Sequence, residues 1–211
     1  MKKHCVGLAV ALSLSLVARC PAQEIHTQYL NARLSPREFR AIAAACAPDI
    51  PLATLRAIAR AESAFHPYAL SLDHPRRTAR EQGFGAGEIF LARQPTNLAE
   101  ARAWTHWLLE RGRSVSIGLV QISSQHAADL GITVDQLFDP CTNLRAGARV
   151  LTAEYQRAAA VRGEGQDALQ QALSKYNSGS STLGFDNGYV TSVVNGEFSD
   201  KPPQSAARPV P

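Results

Sequence analysis

Glu62 lies seven residues after Leu55, four after Ile58 and three after Ala59. On a helix those spacings put all four on one side, so the carboxyl points toward the core. A carboxyl held there loses hydration, which disfavours its ionised form and raises its pKa, making it a proton donor near neutral pH. The plainer alternative is a glutamate that closes an amphipathic stripe and bonds to a neighbouring helix. Three further features accompany it: Ser63 directly after, the run Gly118-Leu119-Val120-Gln121-Ile122, and Tyr176-Asn177 closing an apolar helix. Each also has an ordinary reading. Ser63 can be a plain helix residue, Gly118 a turn glycine, Gln121 a surface amide, Tyr176 a core residue, and Asn177 a helix end before Gly179.

Other chemistries lack their residues. A glycosidase of the usual type flanks the scissile bond with two carboxylates, about 5–5.5 Å apart if retaining and about 6.5–9.5 Å if inverting. No second acid accompanies these motifs. Asp73, Glu81 and Glu88 fall in a loop and Asp129 at a helix end, and all four are expected to be solvated surface acids. His26, His66, His74, His106 and His126 show no His-Glu-x-x-His spacing, so no metal site is expected. There is neither a phosphate-cradling Gly-Lys-Ser/Thr loop nor a Gly-x-Ser-x-Gly elbow. Trp104 and Trp107, three apart, read as packing rather than as a sugar platform.

The elements that must position Glu62 are mainly helical. Ser35, Pro36 and Glu38 form a capping-box start for a helix over 36–46. A second helix carries Leu55 to Glu62 and is bounded by Pro67, which restricts His66. From 73 to 95 the pattern dissolves into Pro, Gly and charge, with one short extended piece at 88–92; a loop this long in a compact domain is often functional. Asn97 and Glu100 open a helix through Trp104 and Leu108 that Gly112 can end. Residues 114–122 suggest a short strand or turn leading into a helix near Ser124 that stops at Gly131, and Thr133 with Gln136 offers another capping box. Leu144 to Tyr155 mark a long helix, Leu169 to Tyr176 the next, and Tyr189 to Val194 a short last one.

Composition adds the compartment. The chain has 211 residues, 45% hydrophobic and 19% charged, which suits one ordinary domain. Lys2 and Lys3 precede an apolar run from Val6 to Ala18, and Ala22 offers a cleavage site, so residues 1–22 read as a secretory signal. Arg19 disfavours lipid attachment at Cys20. Cleavage after Ala22 removes Lys2, Lys3 and Arg19 and no acid, so the formal charge of +4 falls to +1. With acids and bases interspersed, no nucleic-acid partner is indicated. No later apolar run reaches the roughly 20 residues that span a bilayer, so the mature chain is expected to have no transmembrane segment and to be soluble outside the cytoplasm. Outside the signal stand only Cys46 and Cys141, expected to pair in an oxidising compartment; two free buried thiols are the alternative. Residues 23–35 form an N-terminal lead, 36–196 the domain, and 197–211 a Pro-rich tail expected to be flexible. The tail either recruits a partner through its extended prolines or is merely a solvated end.

The motifs, in their order and spacing, resemble the lysozyme-like catalytic domain of soluble lytic transglycosylases, whose patterns are Glu-Ser, Gly-Leu-Met-Gln-Ile and Ala-Tyr-Asn. The likeness covers about residues 36–195. It extends to Cys46-Ala47-Pro48, Ala61-Glu62-Ser63 and Asp139-Pro140-Cys141, which resemble the specialised peptidoglycan-cleaving members that accompany type IV secretion and conjugation machines. Val120 stands where the usual residue is Met, and Lys175 where it is Ala; the second puts a charge beside the expected cleft.

The resemblance implies a mainly α, α+β lysozyme-like fold with the 73–95 loop as wall or lid of a substrate cleft. It implies no cofactor. Glu62 would be catalytic acid and base and Ser63 would help orient it. Gly118 would allow close backbone approach to a sugar, Gln121 would hydrogen-bond near the cleft, Tyr176 would direct its hydroxyl at the glutamate, and Asn177 would bind sugar or cap its helix. Partners would be peptidoglycan glycan strands and components of an envelope secretion system, met by a periplasmic monomer. One carboxyl suffices if the substrate supplies the nucleophile: the muramoyl 6-hydroxyl closes a 1,6-anhydro ring. The rivals are a hydrolytic lysozyme on the same fold and a non-catalytic wall-binding assembly factor.

Overall fold

The computed structural model describes residues 33–73, 91 and 93–195. The signal, residues 23–32 of the lead, the Pro-rich tail, most of the 73–95 loop and the extended piece expected at 88–92 lie outside the described residues or almost wholly so. In chain order the elements are α1 (Pro36–Cys46), α2 (Leu52–Ser63), β1 (Leu70–Leu72), α3 (Leu98–Glu110), β2 (Val115–Ile117), β3 (Ile122–Ser123), α4 (Ser124–Asp129), a 3-10 turn (Val134–Phe138), α5 (Pro140–Arg162), α6 (Gln166–Ser178), α7 (Leu183–Asp186) and α8 (Tyr189–Val194).

Side-chain caps start half of these α-helices. The Ser35 side chain accepts from the Glu38 amide while Glu38 reaches back to Ser35, giving the capping box at α1. Asn97 caps α3 and Asp139 caps α5, where Pro140 occupies the first turn at no hydrogen-bond cost. The Thr133–Gln136 box is present too, but it opens only the short 3-10 turn.

α5 is the spine. α6 packs along it, α1 lies against it, and α8 packs on α2. A disulfide joins Cys46, the last residue of α1, to Cys141 in the first turn of α5, with Cα atoms 5.3 Å apart. The core between these helices is built from Phe39, Leu55, Ile58, Leu108, Leu119, Leu137, Leu144 and Leu173, all fully buried. Phe39 meets Phe65 edge to face at 5.1 Å.

The strands form one antiparallel sheet in the order β1-β2-β3, with Ser71 opposite Ser116 and Ser116 opposite Ser123. Side chains alternate, so Leu70, Val115, Ile117 and Ile122 face the core while the serines face outward. Neither β1 nor α7 was expected: each is too short to show a period. Among the described residues no helix is long and apolar enough to cross a membrane.

Candidate active site

α2 presents Leu55, Ile58 and Ala59 to the core and ends one turn beyond them, which places Glu62 at the inner edge of its last turn. The chain then folds back sharply: Ala64 and Phe65 both take the left-handed conformation, at φ 50 and 66. Among the described residues the third non-glycine residue of that kind is Gln121, at φ 49. Such backbone costs of order 1 kcal/mol or more per residue for side chains with a Cβ. All three lie beside Glu62 or in the turn packed against its helix.

Glu62 is half-buried, and the protein around its carboxyl raises the pKa from 4.5 to about 7. Burial is the main cause; the Tyr189 hydroxyl pulls the other way by favouring the ionised form. Tyr189 and Tyr176 are both pushed well above the usual phenol range, first by burial and then by the Glu62 charge. Two phenols therefore stand around the carboxyl as neutral groups. Tyr189 is the one whose hydroxyl favours the ionised carboxylate, and that buried hydroxyl makes no well-formed hydrogen bond among the described residues. Sequence reasoning placed Tyr189 only as the start of a short helix; its pairing with Glu62 follows from the packing of α8 on α2.

The other expected site residues are engaged with groups of the protein itself. The Tyr176 hydroxyl donates to the Val120 carbonyl at 2.7 Å instead of to Glu62. Ser63 makes no hydrogen bond to Glu62: its buried hydroxyl donates to the carbonyls of Ala59 and Leu119, at 3.1 and 2.8 Å, and so ties α2 to the 118–121 turn. Gly118 is buried. Its φ is +83, and a Cβ there would stand 2.4 Å from Asn143 Nδ2 and 2.7 Å from the Leu137 carbonyl. Asn143, fully buried, donates to Ile117 and Leu137 and accepts from the Val120 amide, so one side chain holds both ends of the turn.

Gln121 sits where that turn meets the sheet. Its amide donates to the carbonyls of Gly118 and Ala69, at 2.9 and 3.1 Å, and its oxygen accepts from Ser71 at 2.7 Å. Asn177 neither caps its helix nor stands free: its oxygen accepts from Asn187 at 2.8 Å, fastening α6 to the α7–α8 turn. Lys175 is exposed and reaches the Gly179 carbonyl at 3.4 Å, a cation at the end of α6 where the helix favours one. Arg93 lies over Trp104 and Arg111 over Trp107, so neither ring is a bare platform.

A half-buried carboxyl poised near neutrality, flanked by neutral phenols and seated against a rigid turn, can give up and take back a proton. The comparison with known families agrees with that geometry: the transglycosylase SLT domain matches residues 39–194. The chain belongs to this family. The SLT domain thus spans every described helix from within α1 to the end of α8, and the helical body with one small sheet is its lysozyme-like α+β fold.

The relatives of this SLT chain are consistent in kind. It is 35% identical over 196 residues to "Protein virB1" of Agrobacterium fabrum, covering 92% of this chain and 71% of that one. It is 34% identical over 171 residues to "Type IV secretion system protein virB1" of Brucella suis biovar 1, covering 78% and 66%. "Protein virB1" of Rhizobium radiobacter is 33% identical over 183 residues, covering 87% and 68%. No solved structure matches.

Proposed function

We propose that this SLT domain is a peptidoglycan lytic transglycosylase of the periplasm, with Glu62 as its single acid and base. The observation that carries the reading is the half-buried Glu62 carboxyl, whose pKa burial raises to about 7. A group half-protonated at neutral pH serves either direction of proton transfer with little bias.

The steps balance on that one group. Protonated Glu62 donates to the glycosidic oxygen between N-acetylmuramic acid and N-acetylglucosamine, and the C1–O bond breaks. The muramoyl 2-acetamido oxygen supports the electron-poor C1. The Glu62 carboxylate then takes the proton of the muramoyl 6-hydroxyl, whose oxygen bonds to C1. The product carries a 1,6-anhydromuramoyl end, water is not consumed, and Glu62 is protonated again. Tyr189, whose hydroxyl is buried, steadies the ionised form that exists between the two transfers.

The names of the relatives support a setting in which the enzyme opens the wall locally for a type IV secretion apparatus. Mass spectrometry of digested sacculi tests the chemistry. Anhydro ends are expected; ends heavier by one water would make the protein a hydrolytic lysozyme. Glu62→Gln keeps the shape and removes the transferable proton, so it should leave sacculi intact. Sacculus binding without any cleavage by the unaltered protein would instead favour a wall-binding assembly factor.

A further inference from the structure

The outward face of the sheet has an unusual hydrogen-bond account. Asp73, expected from its place in the chain to be a solvated acid, receives three hydroxyls: Ser116 at 2.6 Å on one oxygen, and Ser123 at 2.6 Å together with Ser114 on the other. Its own amide donates to the Ser114 carbonyl at 2.9 Å. The Ser71 hydroxyl is committed to Gln121, and the Gln121 amide to two backbone carbonyls. A serine has one proton to give. Each hydroxyl proton of Ser71, Ser114, Ser116 and Ser123 is thus directed at a group of the protein itself; Ser124, 3.5 Å from Ser114 Oγ, is the donor of that contact because Ser114 gives its proton to Asp73, and the face is left with lone pairs and one carboxylate. None of the ion pairs among the described residues involves Asp73.

This face and the glutamate's helix meet at one turn: Ser71 donates to Gln121 at its end, and Ser63, the residue after Glu62, donates to the Leu119 carbonyl within it. All five side chains keep at least partial exposure. A surface that can only accept takes ligands that donate, and a fixed negative charge favours a donor that is cationic.

Resting on the reading of the domain as a peptidoglycan enzyme, we propose that Asp73 is a specificity-determining residue that receives a protonated amine of the substrate, the free ammonium of a stem peptide, on the outward face of the sheet. Three hydroxyl bonds hold the carboxylate in one orientation, so its charge is pre-placed and the ammonium completes the hydrogen bonding of the face.

The test uses the full mature chain carrying Glu62→Gln, so that turnover does not interfere, and measures binding to intact sacculi and to sacculi whose amines have been acetylated. Acetylation is expected to weaken binding about tenfold, the worth of one charge-assisted hydrogen bond. With Asp73→Asn added, the acetylation effect should disappear. An equal effect with Asp73 and with Asn overturns the proposal, because the double difference then vanishes. If Asp73→Asn does not fold, salt dependence decides: binding of native sacculi should fall with salt more steeply than binding of acetylated ones, and equal slopes overturn the proposal. Cleavage of both substrates at equal rates by the Glu62 enzyme, with no acetylation effect on binding, sinks only the role of Asp73; neither cleavage nor binding sinks the enzymatic reading as well.

Discussion

The hydroxyl of Tyr176 donates to the Val120 carbonyl at 2.7 Å. It is therefore a strut between α6 and the 118–121 turn, and the hydroxyl that bears on Glu62 belongs to Tyr189. The two phenols should respond differently to the same change. Tyr189→Phe removes a group that favours the ionised carboxylate, so the Glu62 pKa should rise above about 7 and the corresponding limb of the pH–rate profile should move to higher pH. Cleavage at neutral pH should fall about tenfold, with stability nearly unchanged because no well-formed bond is lost. Tyr176→Phe should instead lower stability by about 1–3 kcal/mol through the abandoned carbonyl. A pH–rate limb that stays in place for Tyr189→Phe counts against the assignment.

How much of this was legible depended on the range of the interaction. The helix starts at Ser35, Asn97 and Asp139 are local, because a cap and its partner lie within a turn of each other. The inward side of Glu62 was legible too, since its spacing from Leu55 and Ile58 is itself the helical period. The duties of Ser63, Gly118 and Asn177 were not: each reaches a group far away in the chain, and residue type alone does not say whether a hydroxyl or amide faces a carbonyl or a cleft. Asp73 was misread for the same reason, as strand pairing delivers its serines from two other segments. β1 and β3, three and two residues long, carry too few positions to display alternation.

The turn that carries Gln121 should be intolerant of both its glycine and its asparagine. Gly118→Ala meets a left-handed backbone and three atoms closer than 3 Å, for which about 2 kcal/mol or more of destabilisation is expected. Asn143→Ala strips partners from the Val120 amide and from two carbonyls; with those groups buried, about 3–5 kcal/mol should be lost. Chemical denaturation of each variant measures this. An Asn143→Ala protein as stable as the parent would remove the turn's claim to being held by that side chain.

The Cys46–Cys141 bond encloses 95 residues of separation. By the loop-entropy argument a cross-link of that span stabilises by about 4–5 kcal/mol, and measured values often fall below this. Replacing both cysteines by serine, or reducing the bond, should lower the denaturation midpoint by an amount equivalent to about 2–4 kcal/mol. Activity at low temperature should survive, because the bond joins α1 to α5 and touches none of the groups around Glu62. Loss of activity in a doubly substituted protein that remains folded would show that the cross-link also shapes the site.

Placing a carboxyl where it titrates near 7 has a stability consequence with a definite sign. Unfolded, Glu62 would ionise around its usual 4.5; folded, it holds its proton up to about 7. Below 4.5 both states are protonated and the site contributes no difference. Between 4.5 and 7 the unfolded state alone releases its proton, so stability declines as pH rises, and above 7 the full penalty applies. A shift of this size corresponds to about 3 kcal/mol, reduced toward about 1–2 kcal/mol by water reaching a side chain that keeps some exposure. Glu62→Gln carries no charge to desolvate. It should therefore unfold at higher urea than the parent at pH 8, and the two midpoints should converge at pH 4. A constant offset across that range would mean that the carboxyl ionises alike in both states, and the proton donor on which the chemistry depends would be absent at neutral pH.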